Sequence, residues 1–182
     1  MVTSQRRARH LGSDRWRGHR SGAVSYTHLD VYKRQPLTLV ARDGALTNIS
    51  MHEQCHVSPP PDDAISDDAW FKDVAAQLHA YFAGELSTFD LEMNLLGTPF
   101  QQSVWAQLCE IPYGETISYG ELAQRVGNPK ASRAVGLANG RNPISIIVPC
   151  HRVIGANGSL TGYGGGLERK TWLLELESKR RS

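Results

Sequence analysis

A cysteine and a histidine stand side by side, Cys150 and His151, at the end of the apolar run "IIVPCHRVIG" (146–155). Cysteine attacks as its thiolate, and the free thiol has a pKa of about 8.5, so a neighbouring imidazole or cation is the usual means of lowering it. His151 and Arg152 offer one of each. The residues before Pro149 read as a buried strand, which leaves a plainer alternative, a cysteine buried only as a small apolar side chain. A nucleophile needs a base and an orienting group as well. Glu177 is the candidate for the third part. On a final helix it lies four residues from Leu173 and three from Leu174, which puts it on the core-facing stripe, where a carboxylate requires a partner. The alternative is an exposed glutamate at a frayed end among Lys179, Arg180 and Arg181.

The whole chain sets the bounds. Its 182 residues, 40% hydrophobic and 21% charged, suit a soluble globular protein with one compact domain or two small ones. No apolar run approaches a membrane span, and "MVTSQRRARH" leads into no signal-peptide core. Cys55, Cys109 and Cys150 are odd in number and lack CxxC spacing, which argues against a disulfide framework or zinc ribbon and for a reducing cytoplasm. His52, Cys55 and His56 would bind metal only adventitiously, so no metal site is expected. Charge falls in three parts: 8 Lys/Arg against 2 Asp/Glu in residues 1–35, 2 against 10 in 36–97, and 10 against 6 in 98–182. A basic C-terminal half beside an acidic middle suits contact with an anionic polymer on one side, or simply a solvated surface.

The elements that position these residues follow the same divisions. Residues 1–35 show no period and read as a disordered or artefactual extension; "SYTHLDVYKRQ" looks like translated adapter sequence, and the native chain is expected to begin near Pro36 without its opening strand. Removing them is then expected to leave folding intact. Residues 36–97 read as a small α/β domain. "PLTLVARDGALTNISM" alternates around Asp43-Gly44, a hairpin signal. A helix is expected over 66–84, with Trp70, Val74, Leu78, Tyr81 and Phe82 as its apolar face, and "FDLEMNL" then returns to the sheet.

Residues 98–182 read as mainly helical. Thr98, Pro99 and Gln101 form a capping box with the proline favoured in a first turn, and Ser118 with Glu121 repeats the device. A third helix opens at Asn128-Pro129. The second and third helices are spaced as a helix-turn-helix, winged-helix-like in its setting, whose second helix usually enters a DNA groove. In that helix Arg133 stands among Ala131, Ser132, Ala134, Gly136 and Ala138. Small residues allow a partner to come close and a long cation to reach between base pairs or to a phosphate; equally, they let two helices pack while Arg133 is solvated. Cys109, near Trp105 and Leu108, reads as core.

The order of pieces, "ISYGELA", "GNPKASRAVG", "RNPI", "PCHRV", "TGYGGGLERK" and a last helix, resembles the O⁶-alkylguanine-DNA alkyltransferases over residues 98–179, and 36–97 look like their N-terminal domain. The resemblance implies a two-domain α/β protein whose helical half carries the Pro-Cys-His-Arg loop. It implies direct repair of double-stranded DNA, with stoichiometric transfer of an alkyl group from O⁶-alkylguanine in a flipped-out base, and O⁴-methylthymine as a second candidate substrate. It also implies a monomer that needs no cofactor and no membrane. Cys150 matches the acceptor thiol, His151 the residue that takes its proton through a water, Glu177 the carboxylate orienting that histidine, and Asn142 the asparagine whose turn holds the helix-turn-helix to the site. Tyr119 matches the tyrosine that rotates the 3′ phosphate, and Arg133, flanked by Ser132 and Ala134, the arginine that fills the flipped base's place. Pro149 to Val153, Arg152 included, match the active-site signature. Tyr163 lies in the pocket loop. Gly164, where relatives carry a small polar or alanine residue, implies a roomier pocket for larger alkyl groups.

Two other classes fit some of these residues. A lesion-recognition relative lacking chemistry would replace the cysteine, which is present here. A cysteine hydrolase would need an oxyanion hole and would leave the helix-turn-helix unexplained.

Overall fold

Asp43 and Gly44 have φ of 52° and 81°, the left-handed pair that a tight two-residue hairpin requires. They turn strand β2 (Gln35–Arg42) back as β3 (Ala45–Met51), and Leu37, Leu39, Ala41, Leu46, Ile49 and Met51 bury one face of the pair. Helix α1 (Lys72–Phe82) covers that face with Val74, Leu78 and Tyr81. The computed structural model describes residues 23–32, 35–51, 54, 60–62 and 64–179, with side chains from residue 36 onward.

Two expectations for this half are corrected. Within the supposed extension, Ala23–Tyr32 is a strand, β1, antiparallel to β2 from Ala23↔Arg42 to Tyr32↔Gln35. The two-residue strand β4 (Ile65–Ser66) joins β1 in parallel, giving the order β3-β2-β1-β4. An open strand edge offers backbone donors and acceptors to any segment of β-forming composition, so pairing needs no particular side chain, and a reading from composition misses it. Residues 1–22 lie outside the described residues, as do His52, Cys55 and His56. The helix also starts later than 66, because Asp67 turns the chain first by accepting from the backbone N–H of Ala69 and Trp70, both at 3.1 Å. "FDLEMNL" returns as a single bridge: Leu46 donates to Glu92 O and Asn94 N to Leu46 O, each at 2.9 Å.

The second half meets the first where Ile49 bridges Ile144 and where the ring of Phe82 lies 5.7 Å from that of Trp172. α2 (Pro99–Cys109) carries both capping-box bonds, and Trp105 Nε1 donates to Ala138 O at 2.9 Å. Its buried stripe is Val104, Trp105 and Leu108, and Cys109 falls one position past it and is exposed, against the expectation of a core residue. β5 (Ile117–Ser118) runs directly into α3 (Tyr119–Arg125), capped by Ser118 and Glu121 as expected. α4 (Ser132–Gly140) begins four residues after Asn128, whose carbonyl instead accepts from Ala131 N in a preceding turn. Among the described residues, no helix is long and apolar enough to cross a membrane.

The run before Cys150 is not the strand that its apolar residues suggest. Ile146 is buried with φ of 77°, a left-handed conformation that a β-branched residue adopts only under constraint. Asn142 supplies the constraint. Its side chain donates to Val148 O at 2.8 Å and accepts from Ile144 N at 3.0 Å, satisfying backbone groups that a sheet would otherwise pair.

Candidate functional site

Cys150 opens a single turn of 3₁₀ helix, Cys150–Arg152, between the Asn142 turn and strand β6 (Val153–Ile154). β6 pairs in parallel with β5, Ile117 to Val153 and Ser118 to Ile154, so the start of α3, and with it Tyr119, is held against the cysteine turn. Pro149 precedes the turn, and its carbonyl accepts from Arg152 N at 3.0 Å; Pro149 and Val153 are both buried.

The last helix, α5 (Leu167–Ser178), buries Lys170, Leu173 and Glu177 on one stripe, as the periodicity of Leu173 and Glu177 predicts. Glu177 is fully buried and its carboxylate is saturated. Oε1 accepts from Tyr81 Oη at 2.6 Å, His151 Nε2 at 2.9 Å and Arg152 Nη2 at 2.9 Å. Oε2 accepts from Gly114 N and Arg152 Nε, both at 2.9 Å. Burial opposes the charge, but the hydrogen bond from His151 and the bonds and charge of Arg152 outweigh it and hold the carboxyl well below its usual range. An ionised carboxylate only accepts, so His151 carries its proton on Nε2, leaving Nδ1 as the basic nitrogen. Nδ1 is buried and has no hydrogen-bond partner among the described residues. Burial also lowers the His151 pKa, and Arg152 and Lys170 add to that against Glu177, so the ring is neutral at physiological pH.

Arg152 is thus placed differently from the expectation that it lowers the thiol pKa. Its guanidinium is committed to Glu177 and, at 2.6 Å, to Ile111 O, and it lies 5.6 Å from the centre of the Tyr113 ring. The cation that acts on Cys150 is Lys170. Burial pushes the thiol up to about 11, while a hydrogen bond from Asn142, the Lys170 charge and the backbone N–H groups of Cys150 and His151 pull it back. Lys170 is buried, donates from Nζ to Val153 O and Thr161 O, and is itself lowered to about 8 by desolvation. At rest Cys150 is therefore a thiol and Lys170 a buried ammonium. The stripe that predicts Glu177 extends back to Lys170 three residues before Leu173, and that was the available signal.

Tyr119 and the recognition helix close the site. The Tyr119 hydroxyl lies within 3.1 Å of Thr161 O and 3.2 Å of Gly162 O, and burial, followed by the Cys150 charge, raises its pKa. Gly162 has φ of 60°, and a Cβ there would stand 2.9 Å from that hydroxyl, so the glycine loop is shaped to this tyrosine. Tyr163 and Gly164 follow in the loop, both half-buried. On α4, Arg133 and Ala134 are exposed and Ser132 is half-buried. Asn139 on the same helix is buried and donates to Cys150 O at 3.3 Å, linking α4 to the cysteine turn. Sequence reading did not single out Asn139, Lys170 or the Tyr81 hydroxyl.

Fold and site together define a two-domain protein with a helix-turn-helix set against a buried Cys-His-Glu series. Two family models match it, "6-O-methylguanine DNA methyltransferase, ribonuclease-like domain" over residues 35–95 and "6-O-methylguanine DNA methyltransferase, DNA binding domain" over 99–179. A methylated-DNA–protein-cysteine methyltransferase of Mycobacterium tuberculosis is 59% identical over 145 residues, 80% of this chain and 87% of that protein. One of Methanosarcina acetivorans is 54% identical over 142 residues, 78% of this chain and 91% of the relative. Among solved structures, the Mycobacterium tuberculosis OGT in complex with DNA aligns with a TM-score of 0.77 at 55% identity, covering 87% of this chain and 93% of that one. The chain belongs to the 6-O-methylguanine DNA methyltransferase family.

Proposed function

We propose that this protein repairs DNA by direct reversal, moving the alkyl group of an O⁶-alkylguanine in double-stranded DNA onto Cys150 in a single turnover. The observation that carries the reading is the buried series Cys150, His151 and Glu177 set directly behind the start of α3 and the cysteine-linked face of α4. The target atom lies inside a duplex, so the base is extruded, at a cost of a few kcal/mol that is least for a weakly paired, damaged base. Arg133, exposed on α4, takes the vacated place in the stack, with Ser132 and Ala134 against the groove.

His151 Nδ1 takes the thiol proton, directly or through a water, and Glu177 stabilises the imidazolium that results. Lys170 and Asn142 stabilise the thiolate. Sulfur then attacks the alkyl carbon in line, the carbon–oxygen bond breaks, and the guanine leaves as an anion that takes up the proton released by the thiol. Tyr119, reorienting its hydroxyl from the loop carbonyls, donates toward the leaving base as its charge develops. The products are S-alkylcysteine and unmodified guanine, with no cofactor consumed. Tyr163 and Gly164 line the base pocket, and the small Gly164 leaves room for groups larger than methyl. A cytoplasmic monomer is part of this reading.

Intact-protein mass after incubation with duplex DNA bearing one O⁶-methylguanine tests it. One added methyl mass on the native chain, none on Cys150→Ala, and repaired DNA in equal amount are expected. Binding without any mass change would overturn the reading in favour of lesion recognition alone.

A further inference from the structure

Glu177 draws its donors from both halves of the molecule, and among the described residues Tyr81 is the one outside residues 98–182. Tyr81 stands on α1, fully buried, 96 residues from Glu177 along the chain. A separation of 2.6 Å is at the short end for a hydroxyl donating to a carboxylate, as charge-assisted bonds are. Its ring is clamped edge-on by Phe82 at 5.3 Å and Tyr113 at 6.0 Å, with Phe89 tilted against it at 5.3 Å. The hydroxyl therefore has one place to point. Packing alone would be served by phenylalanine, whereas a buried hydroxyl costs free energy unless it is bonded.

We propose that Tyr81 is a positioning residue for the alkyl-acceptor site, through which the N-terminal domain sets the orientation and basicity of His151 by way of Glu177. The inference rests on the functional reading above for its kinetic consequence, but not for its chemistry. Tyr81 and His151 donate to the same oxygen, Oε1, so the tyrosine shares charge that would otherwise pull on the imidazolium. Without that hydroxyl the carboxylate charge concentrates on His151, which becomes more basic and carries a second proton up to a higher pH. The remaining charged and titratable groups around the pair are Arg152 and Cys150 in the same turn, Lys170 on α5, and Tyr113 beside Tyr81. Burial, then Glu177, keeps the Tyr81 phenol protonated well above its ordinary range, so it remains a donor at any working pH.

Two measurements on the full chain test this. Single-turnover methyl transfer from an O⁶-methylguanine duplex, followed by intact mass across pH 5 to 9, is expected to be slower by about tenfold for Tyr81→Phe, consistent with the loss of one bond to a charged group. Its acid limb should move upward by half a pH unit or more, with DNA affinity unchanged. Nitrogen NMR of the His151 ring without DNA should show the same upward displacement. Site-specific replacement of Tyr81 by 3-fluorotyrosine, a stronger donor of the same shape, should move both downward, and this serves if Tyr81→Phe fails to fold. Phe89→Leu, which loosens the clamp but keeps the hydroxyl, separates packing from positioning by lowering stability with a smaller displacement than Tyr81→Phe. An unchanged His151 titration in both Tyr81 variants overturns the inference. A native chain that accepts no methyl group while His151 still responds would overturn the functional reading and leave this one standing.

Discussion

Cys150 is held as a thiol by the same burial that shields it from adventitious reagents, and the groups that favour its thiolate, Asn142 and Lys170, act only against that background. As the nucleophile of the proposed transfer, it is released when a proton acceptor and an aligned electrophile are both present. The fixed end of the acceptor chain is the Glu177–Arg152 pair, two parallel bonds of 2.9 Å with Glu177 fully buried and Arg152 nearly so. Removing one partner of a buried pair leaves the other charge uncompensated, which typically costs about 3–5 kcal/mol. Glu177→Gln is therefore expected to destabilise the fold by that order and to slow methyl transfer. Urea unfolding with a midpoint equal to the native one would show that the pair is not what holds the cysteine turn in place.

At the scale of elements, the local pairing of β5 with β6 and the bond from Asn139 to the Cys150 carbonyl tie the helix-turn-helix to the cysteine turn. Arg133 is exposed on α4, so in the proposed mechanism its contribution belongs to base extrusion and not to chemistry. Arg133→Ala is expected to slow transfer on duplex DNA by about tenfold, the value of part of a few-kcal/mol unstacking cost, while leaving transfer from single-stranded substrate nearly unaltered. Equal losses on both substrates would place Arg133 in phosphate contact instead. The cap of α3 matters for the same reason, because Ser118 accepts from Glu121 N immediately before Tyr119.

For the whole molecule, the sheet is completed from outside the matched family region, which begins at residue 35. β1 lies between β2 and β4, so a truncation beginning at Pro36 strips one edge of β2 and releases β4. Lower thermal stability of that truncated chain, with methyl transfer retained at low temperature, is the expected result; an unchanged Tm would mean that β1 contributes nothing. Acid acts on the assembly through two groups of the same sign. Glu177 is depressed in the folded state, so its stabilisation is present above the unfolded carboxylate pKa of about 4.3 and is lost as pH falls below it. His151 is depressed as well, so the unfolded chain gains a proton first, and stability already declines as pH falls through about 6.5.

Features that depend on residues within a few positions of one another are legible in the sequence alone. The Asp43-Gly44 hairpin, the Thr98 and Ser118 capping boxes and the core-facing stripe of Glu177 each follow from a short-range bond or a helical period, and each is present in the fold. Cys150 and His151 were legible as a candidate pair for the same reason of adjacency. Tertiary structure decided which partner each polar group took. Arg152 is two positions from the thiol in sequence yet bonds Glu177, because the 3₁₀ turn directs it toward Ile111 and α5. Lys170 and Tyr81 look like a surface cation and a core ring until packing buries them fully, where an ammonium or a hydroxyl must find an acceptor. Ile146 takes a conformation that its own preferences oppose, since the Asn142 side chain and the surrounding core over-determine it. Short-range chemistry is a property of neighbouring residues; the pairing of buried charges and donors is settled by which surfaces close on one another, and that is written only in three dimensions.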